Sequence, residues 1–228
     1  MDQHVLEKYK SFDGARSYNT KYDDELHKRL NNKFEFALIR RCLDVVGPQD
    51  LLLDLPSGTG RLAPVVRPYA RRIVESDVSM EMLKFCRTNW ANKFEGHPGG
   101  IKADGAGGEV EGFAQASAFH LPYRDRAFDC VFSSRLTHHI PDPSERNQFI
   151  RELARISKQW VVMSYFHKWS LKNILRMVRS PFNKKKGKVV MSTTEFREVA
   201  GWAGLDLLHS WPLSRIASGH HFAVLKKK

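Results

Sequence analysis

A chain of 228 residues with 42% hydrophobic residues has enough apolar surface for a full core, which makes one large domain the expectation. No apolar run approaches the roughly 20 residues a spanning helix needs, and the opening stretch MDQHVLEKYKSFDG lacks an apolar signal region, so a cytoplasmic protein is expected. The formal net charge is +12, and ten of its lysines and arginines fall between Leu153 and Thr194 with no Asp or Glu among them. Such concentration predicts an anionic partner for that segment.

In chain order, residues 1–46 read as an amphipathic helical cap closed by Gly47-Pro48. Leu51, Leu52 and Leu53 predict a buried strand, because short continuous apolar runs suit a strand covered on both faces. Asp54, Pro56, Ser57, Gly58, Thr59 and Gly60 then crowd a tight loop before Leu62, Val65 and Val66 fall at helical spacing. Glycines there turn the chain sharply and let a ligand approach the bare backbone. A strand, a glycine loop and a helix start form the unit at which open α/β sheets bind nucleotides.

RRIVESDVSMEMLKFCRTNW gives a second strand ending near Asp77, then a helix capped by Ser79 with Met82, Leu83, Phe85 and Cys86 on its apolar side. GHPGGIKADGAGGEVEG reads as a glycine-rich surface loop, and FAQASAF (113–119) as a third strand. FDCVFSS, SERNQFIRELARIS and QWVVMSYF predict a fourth strand, a helix and a fifth strand. STTEFREVAGWAGLDLLHSW reads as a capped helix, a stop at Gly204 and a sixth strand, and HHFAVLKKK as the last strand. The alternation predicts a mostly parallel sheet with helices on both faces. Cys42, Cys86 and Cys130 lie far apart with no CxxC pair, so reduced core thiols are expected rather than a disulfide or a metal site.

Four of these signals, in order and at the right spacings, resemble class I S-adenosylmethionine (SAM) dependent methyltransferases. Asp54-Leu-Pro-Ser-Gly-Thr-Gly60 resembles their first motif, and Asp77 in ESDVSMEML the acidic residue ending their second strand. QASAFHLPYRDRAFDCVFSSRLTHHIPDP is similar to the third and fourth motifs of the small-molecule branch, which includes quinone C-methyltransferases. The ending suits that fold's reversed terminal hairpin. The resemblance is close over about residues 48 to 165 and follows the rest in outline.

It implies a Rossmann-like, doubly wound α/β fold with a seven-stranded sheet, mostly parallel, ending in an antiparallel hairpin. One domain would comprise the cap (1–46), a SAM-binding core (47–165), a basic acceptor-side insert (166–192) and a C-terminal helix and hairpin (193–228). SAM is the implied cofactor, held by Asp54, Pro56, Ser57, Gly58, Thr59, Gly60, Asp77, Val78, Met82, Ser117, Ala118, Ser133 and Arg135. Asp77, 17 residues past Gly60, suits the ribose hydroxyls; alternatively it is a carboxylate at a helix N-terminus. Two departures stand out. Pro56 and Ser57 replace the family's usual glycine and small residue, removing an amide donor, and Ala116-Ser117-Ala118 replaces its GDA tripeptide.

Catalytic candidates are His139, His138 and Tyr165, of which a histidine serves as a general base when the acceptor must lose a proton. Tyr18, Tyr22, Arg135, His167, Lys172 and Arg176 are acceptor-side candidates. Arg135 could grip a carboxylate or phosphate, or equally pair with Asp142. No spacing of histidines and carboxylates suits a metal.

In the insert, Leu171, Ile174, Leu175 and Val178 form an apolar stripe opposite Lys172, Arg176 and Arg179. That pattern suits a small or lipid-linked anionic acceptor, peripheral contact with an anionic membrane at its inner surface, or simply a solvated helix. RNA methylation and a non-catalytic SAM-binding scaffold are the alternatives. RNA is the weaker partner, because no RRM or KH signature and no Asn-Pro-Pro-Tyr motif is present. An NAD-dependent oxidoreductase fits less well, since Ala63 stands at the third glycine of GxGxxG.

Overall fold

The computed structural model describes residues 7, 11–20, 26–94, 109–168, 189–214 and 218–228. Helices α1 (Phe12–Thr20) and α2 (Leu26–Val46) lead into strand β1 (Gln49–Asp54). Helix α3 (Ala63–Val66) runs into a 3-10 turn at Arg67–Tyr69, and then come β2 (Ala70–Asp77) and α4 (Met80–Phe94). The chain continues through β3 (Glu109–Gln115), β4 (Phe128–Ser133), a 3-10 turn at Thr137–His139, α5 (Pro143–Ile156) and β5 (Ser157–Phe166). It closes with α6 (Thr193–Trp202), β6 (Leu205–Ser214) and β7 (Ser218–Lys227). The strands form one seven-stranded sheet in the order β3-β2-β1-β4-β5-β7-β6. The first five are mutually parallel, and β7 enters antiparallel between β5 and β6. This is the doubly wound sheet with a reversed terminal hairpin expected from the sequence.

Both faces of the sheet are covered, and the period of two along each strand sorts its side chains between them. Leu53, Val131, Val161, Met163 and Tyr165 pack with Phe149 and Leu153 of α5 and Phe196 of α6. Leu52, Cys130, Phe132 and Val162 pack with Leu38, Ile39 and Leu43 of α2, Val65 and Val66 of α3, and Cys86 and Trp90 of α4. All three cysteines are buried free thiols. No described helix is long and apolar enough to cross a membrane.

Two elements differ from their sequence reading. The helix after the glycine loop lasts four residues before the 3-10 turn, because Pro64 occupies its first turn and Pro68 supplies no amide for continuing it. The third strand starts at Glu109 rather than Phe113 and ends at Gln115. As an edge strand paired only with β2 it keeps one side polar, and Glu111 accepts from the Arg72 guanidinium at 3.2 Å. The residues that follow it, Ser117 to His120, make an isolated bridge instead. The anticipated helix in the basic insert lies outside the described residues.

Candidate functional site

The order of the strands reverses at β1, whose neighbours are β2 and β4, so the carboxyl ends of these strands open a crevice. The glycine loop crosses it. Gly58 and Gly60 adopt left-handed backbones with φ of 57° and 71°, which glycine takes at no steric cost. The Leu55–Pro56 peptide is cis.

The loop is held from below by β2 and α4. Ser57 N donates to the Ser76 carbonyl at 2.9 Å, and Gly58 N donates to Asp77 Oδ2 at 2.9 Å. Asn89 Nδ2 of α4 donates to the Thr59 carbonyl at 2.8 Å. A Cβ on Gly60 would lie 2.9 Å from Cys86 Sγ, so α4 packs against a backbone that has no room for a side chain. The Ser79 cap is present: its Oγ accepts from Met82 N at 3.2 Å, and Met82 is buried below the rim.

Three carboxylates gather under this loop, and burial governs each of them. Asp54 ends β1, is 1% exposed, and its two oxygens accept no hydrogen bond from the described residues. Burial raises its pKa well above the usual carboxylate range, and the nearby charges of Glu75 and Asp77 push the same way. Glu75, the register partner of Asp54 on β2, accepts from Trp90 Nε1 at 2.9 Å and is raised to about 7 by burial. Asp77 also accepts from Ser79 N at 2.9 Å. Burial lifts it to about 6, against the amides of Ser79, Gly58 and Val78, which stabilise its charge.

Of the two roles the sequence left open for Asp77, the helix N-terminal one is seen, beside a loop contact that the sequence did not suggest. Asp77 sits at the start of α4, and it also anchors the glycine loop. Val78 accepts from Gln115 Nε2 at 3.0 Å, while Ala116 N donates to the Asp77 carbonyl at 3.0 Å. These bonds bring Ser117 and the buried Ala118, just past β3, alongside the end of β2. Phe119 N donates to Ser117 Oγ at 3.4 Å.

On the other side of β1, the chain leaves β4 at the buried Ser133 and turns at Arg135, whose φ of 63° lies in the left-handed region. Arg135 does not pair with Asp142, which instead caps α5 by accepting from Glu145 N at 2.9 Å. Its guanidinium grips Glu35 of α2 through two bonds, Nε to Oε1 at 2.9 Å and Nη2 to Oε2 at 2.8 Å. Arg61, next to Gly60, reaches the same Glu35 Oε2 at 2.9 Å. Burial pushes the Glu35 carboxyl up, but the two guanidiniums outweigh it and hold it at about 2.

His138 and His139 follow in the 3-10 turn, with rings 4.0 Å apart. The His138 ring also lies 4.4 Å from Phe166 and 5.8 Å from His220 of β7.

Tyr165 is placed elsewhere. It is wholly buried and stacked on Phe196 at 4.2 Å, with its hydroxyl 2.8 Å from Ser210 Oγ. The period of two turns it to the α6 face, while Phe166 joins the histidines. His167 stacks on His221 at 4.4 Å, near the Tyr165 ring rather than His138. Tyr18 falls in α1, but its side chain, like Tyr22, Lys172 and Arg176, lies outside the described residues. Among the described residues no cluster of His, Cys, Asp and Glu could hold a metal ion.

Glu35, Arg61 and His220 were not singled out from the sequence. The pairing of Glu35 with Arg135 spans 100 positions and leaves no local pattern. His220 shows only as one of two adjacent histidines in an apolar strand.

Residues 53–161 match the family model described as a methyltransferase domain. The uncharacterized methyltransferase YcgJ of Bacillus subtilis (strain 168) is 30% identical over 108 residues, covering 47% of this chain and 36% of the relative. Methyltransferase GfsG of Streptomyces halstedii is 29% identical over 106 residues, covering 46% and 33%. The match thus spans about a third of the length of either curated relative. Among solved structures, magnesium protoporphyrin IX methyltransferase from Synechocystis PCC 6803 with bound SAH shares the fold over 100% of both chains, with a TM-score of 0.74 at 13% identity. Motif order, sheet topology and family match agree: residues 53–161 are a methyltransferase domain, set in the sheet topology of the class I SAM-dependent methyltransferases.

Proposed function

We propose that this chain transfers the methyl group of SAM to a small-molecule acceptor that carries negative charge. The observation that carries the reading is the glycine loop itself, tied down over Asp54 and Asp77 at the carboxyl ends of β1 and β2. The residues fit the donor. Asp54 offers two buried acceptor oxygens with no bond from the described residues, suited to an ammonium group. Gly58 and Gly60 bare the backbone, and Asp77 keeps lone pairs for ribose hydroxyls.

When bound, SAM supplies an electrophilic methyl on a sulfonium, and the protein's part is largely to hold the acceptor in line with it. In this reading His139, with His138 beside it, takes the proton of an O–H or N–H acceptor. Arg61 and Arg135 both reach Glu35, and His220 lies close enough to act on the same carboxylate; this gathering of basic side chains supports an anionic acceptor. The acid-free run from Leu153 to Thr194 supports the same sign of charge. The likeness to a magnesium protoporphyrin IX methyltransferase supports a small molecule.

Calorimetric titration with SAM and with its demethylated product tests the donor site. Both should bind while NAD stays silent, and Asp77→Ala should weaken SAM by about 1–3 kcal/mol, the range for an unmade bond to a charged group. An unchanged affinity would remove Asp77 from the donor site. Methyl-labelled SAM incubated with a cell extract should then place label in anionic small molecules; label in RNA would overturn the acceptor class. The stripe of Leu171, Ile174, Leu175 and Val178 opposite basic residues favours a second role, docking on an anionic lipid surface. Vesicles of anionic lipid should then retain the protein at low salt and release it at high salt, and salt-insensitive recovery would dismiss the idea.

A further inference from the structure

The Glu35 cluster sets two arginines on one buried carboxylate and so joins three separate parts of the described chain. Glu35 is 1% exposed, on α2. Arg61 directly follows the last glycine of the donor loop, and its Nη1 donates to Asn32 Oδ1 at 2.9 Å. Asn32 and Glu35 lie three residues apart, on one face of α2. Arg135 is the left-handed residue of the turn between β4 and the histidines, and its own amide is fixed by Ser164 Oγ at 2.7 Å. Thr137 Oγ1 donates to the Ser164 carbonyl at 2.9 Å, so Ser164 pins both ends of that turn.

A non-glycine residue in this backbone region costs free energy and persists where its surroundings over-determine it. Here a bidentate carboxylate and a hydroxyl do so. Other ion pairs, such as Arg71 with Asp50 and Lys84 with Glu81, are exposed. Pairs of that kind contribute little. A triad built on a buried carboxylate is a poor device for stability alone, since an apolar replacement of similar volume is often as stable. What it supplies is a fixed geometry.

We propose that Glu35 is a positioning residue for methyl transfer: by gripping Arg61 and Arg135 together, it sets the glycine loop and the Arg135 turn at the spacing the donor requires. The inference rests on the donor site proposed above. It also deepens it, because Glu35 then ties the turn that leads to His138 and His139 to the loop that faces the donor.

The test uses the full chain. SAM affinity is measured by calorimetry for wild type, Glu35→Gln, which keeps the size and removes the charge, and Arg135→Lys, which keeps the charge and loses the two-pronged grip. Each should lose about tenfold in SAM affinity, the double variant should lose no more than the worse single one, and Glu35→Asp should recover part of the loss. Glu35→Gln also removes a buried partner of two guanidiniums and should lower the thermal midpoint, whereas Arg135→Lys should move it by only a few degrees, a separation of affinity from stability that a merely structural contact would not give. Affinity within twofold of wild type in either variant would overturn the proposal. If Glu35→Gln does not fold, Arg135→Lys decides alone. A wild-type chain that binds no SAM would instead remove the donor site itself, a distinct result.

Discussion

Gly60 carries two constraints at once, a positive φ and a gap too narrow for a methyl group. An L-residue in the left-handed region costs roughly 1–2 kcal/mol, and forcing a group into a packed site about 1–3 more. Gly60→Ala should therefore lower the denaturant midpoint by the equivalent of about 2 kcal/mol or more. Adding Cys86→Ala should return the steric share and leave the backbone share, so equal midpoints for the single and double variants would show that crowding at Cys86 plays no part. At this scale the sequence was legible where chemistry is local. Asp54, the two glycines, Asp77 and the Ser79 cap could all be placed from spacing. It was not legible where side chains meet across the fold, since a glutamate in a polar helix gives no sign that it will be buried between two arginines.

Elements were legible in proportion to how far they carry their own signals. Helix α6 has a complete capping box: Ser192 Oγ accepts from Glu195 N at 3.1 Å, and Ser192 N donates to Glu195 Oε2 at 2.6 Å. Ser192→Ala should cost about 1 kcal/mol in chemical unfolding, and combining it with Glu195→Ala should cost less than the two changes separately. An additive result would mean the two bonds act independently. Strands β4 and β5 were read within a few residues, because both faces are apolar. Strand β3 was misread because Glu109, Glu111 and Gly112 hide an edge strand among turn-like residues. The short α3 was overread because Leu62, Val65 and Val66 keep helical spacing where Pro64 and Pro68 limit the backbone.

For the molecule as a whole, the buried acids set how stability varies with pH. Glu75 and Asp77 have folded pKa values raised to about 7 and about 6, so they hold protons more tightly folded than unfolded. Their contribution is complete below about pH 4 and is lost as pH rises through 6 to 7. Glu35 works oppositely. With a folded value near 2, its contribution is present above about pH 4.5 and fades as pH falls toward 2. The ligand-free protein should accordingly melt at a higher temperature near pH 5 than near pH 8, and Glu75→Gln should flatten that slope. A Gln variant with the wild-type slope would mean that Glu75 is already ionised near pH 5. SAM, which favours the ionised acids beneath the loop, should bind more tightly near pH 7.5 than near pH 5.

The glycine loop owes its shape to bonds made from β2 and α4, and that has a consequence for its dynamics. The Gly58 amide ends on a buried carboxylate, so it is shielded from solvent before any ligand arrives. In deuterated buffer, with no SAM present, its proton should persist alongside those of the central strands, and addition of SAM should slow its loss only modestly. Free exchange that stops on adding SAM would describe a loop ordered by its ligand. Persistence would mean that the entropy of ordering the loop is spent during folding, leaving the donor to bind a surface already in place.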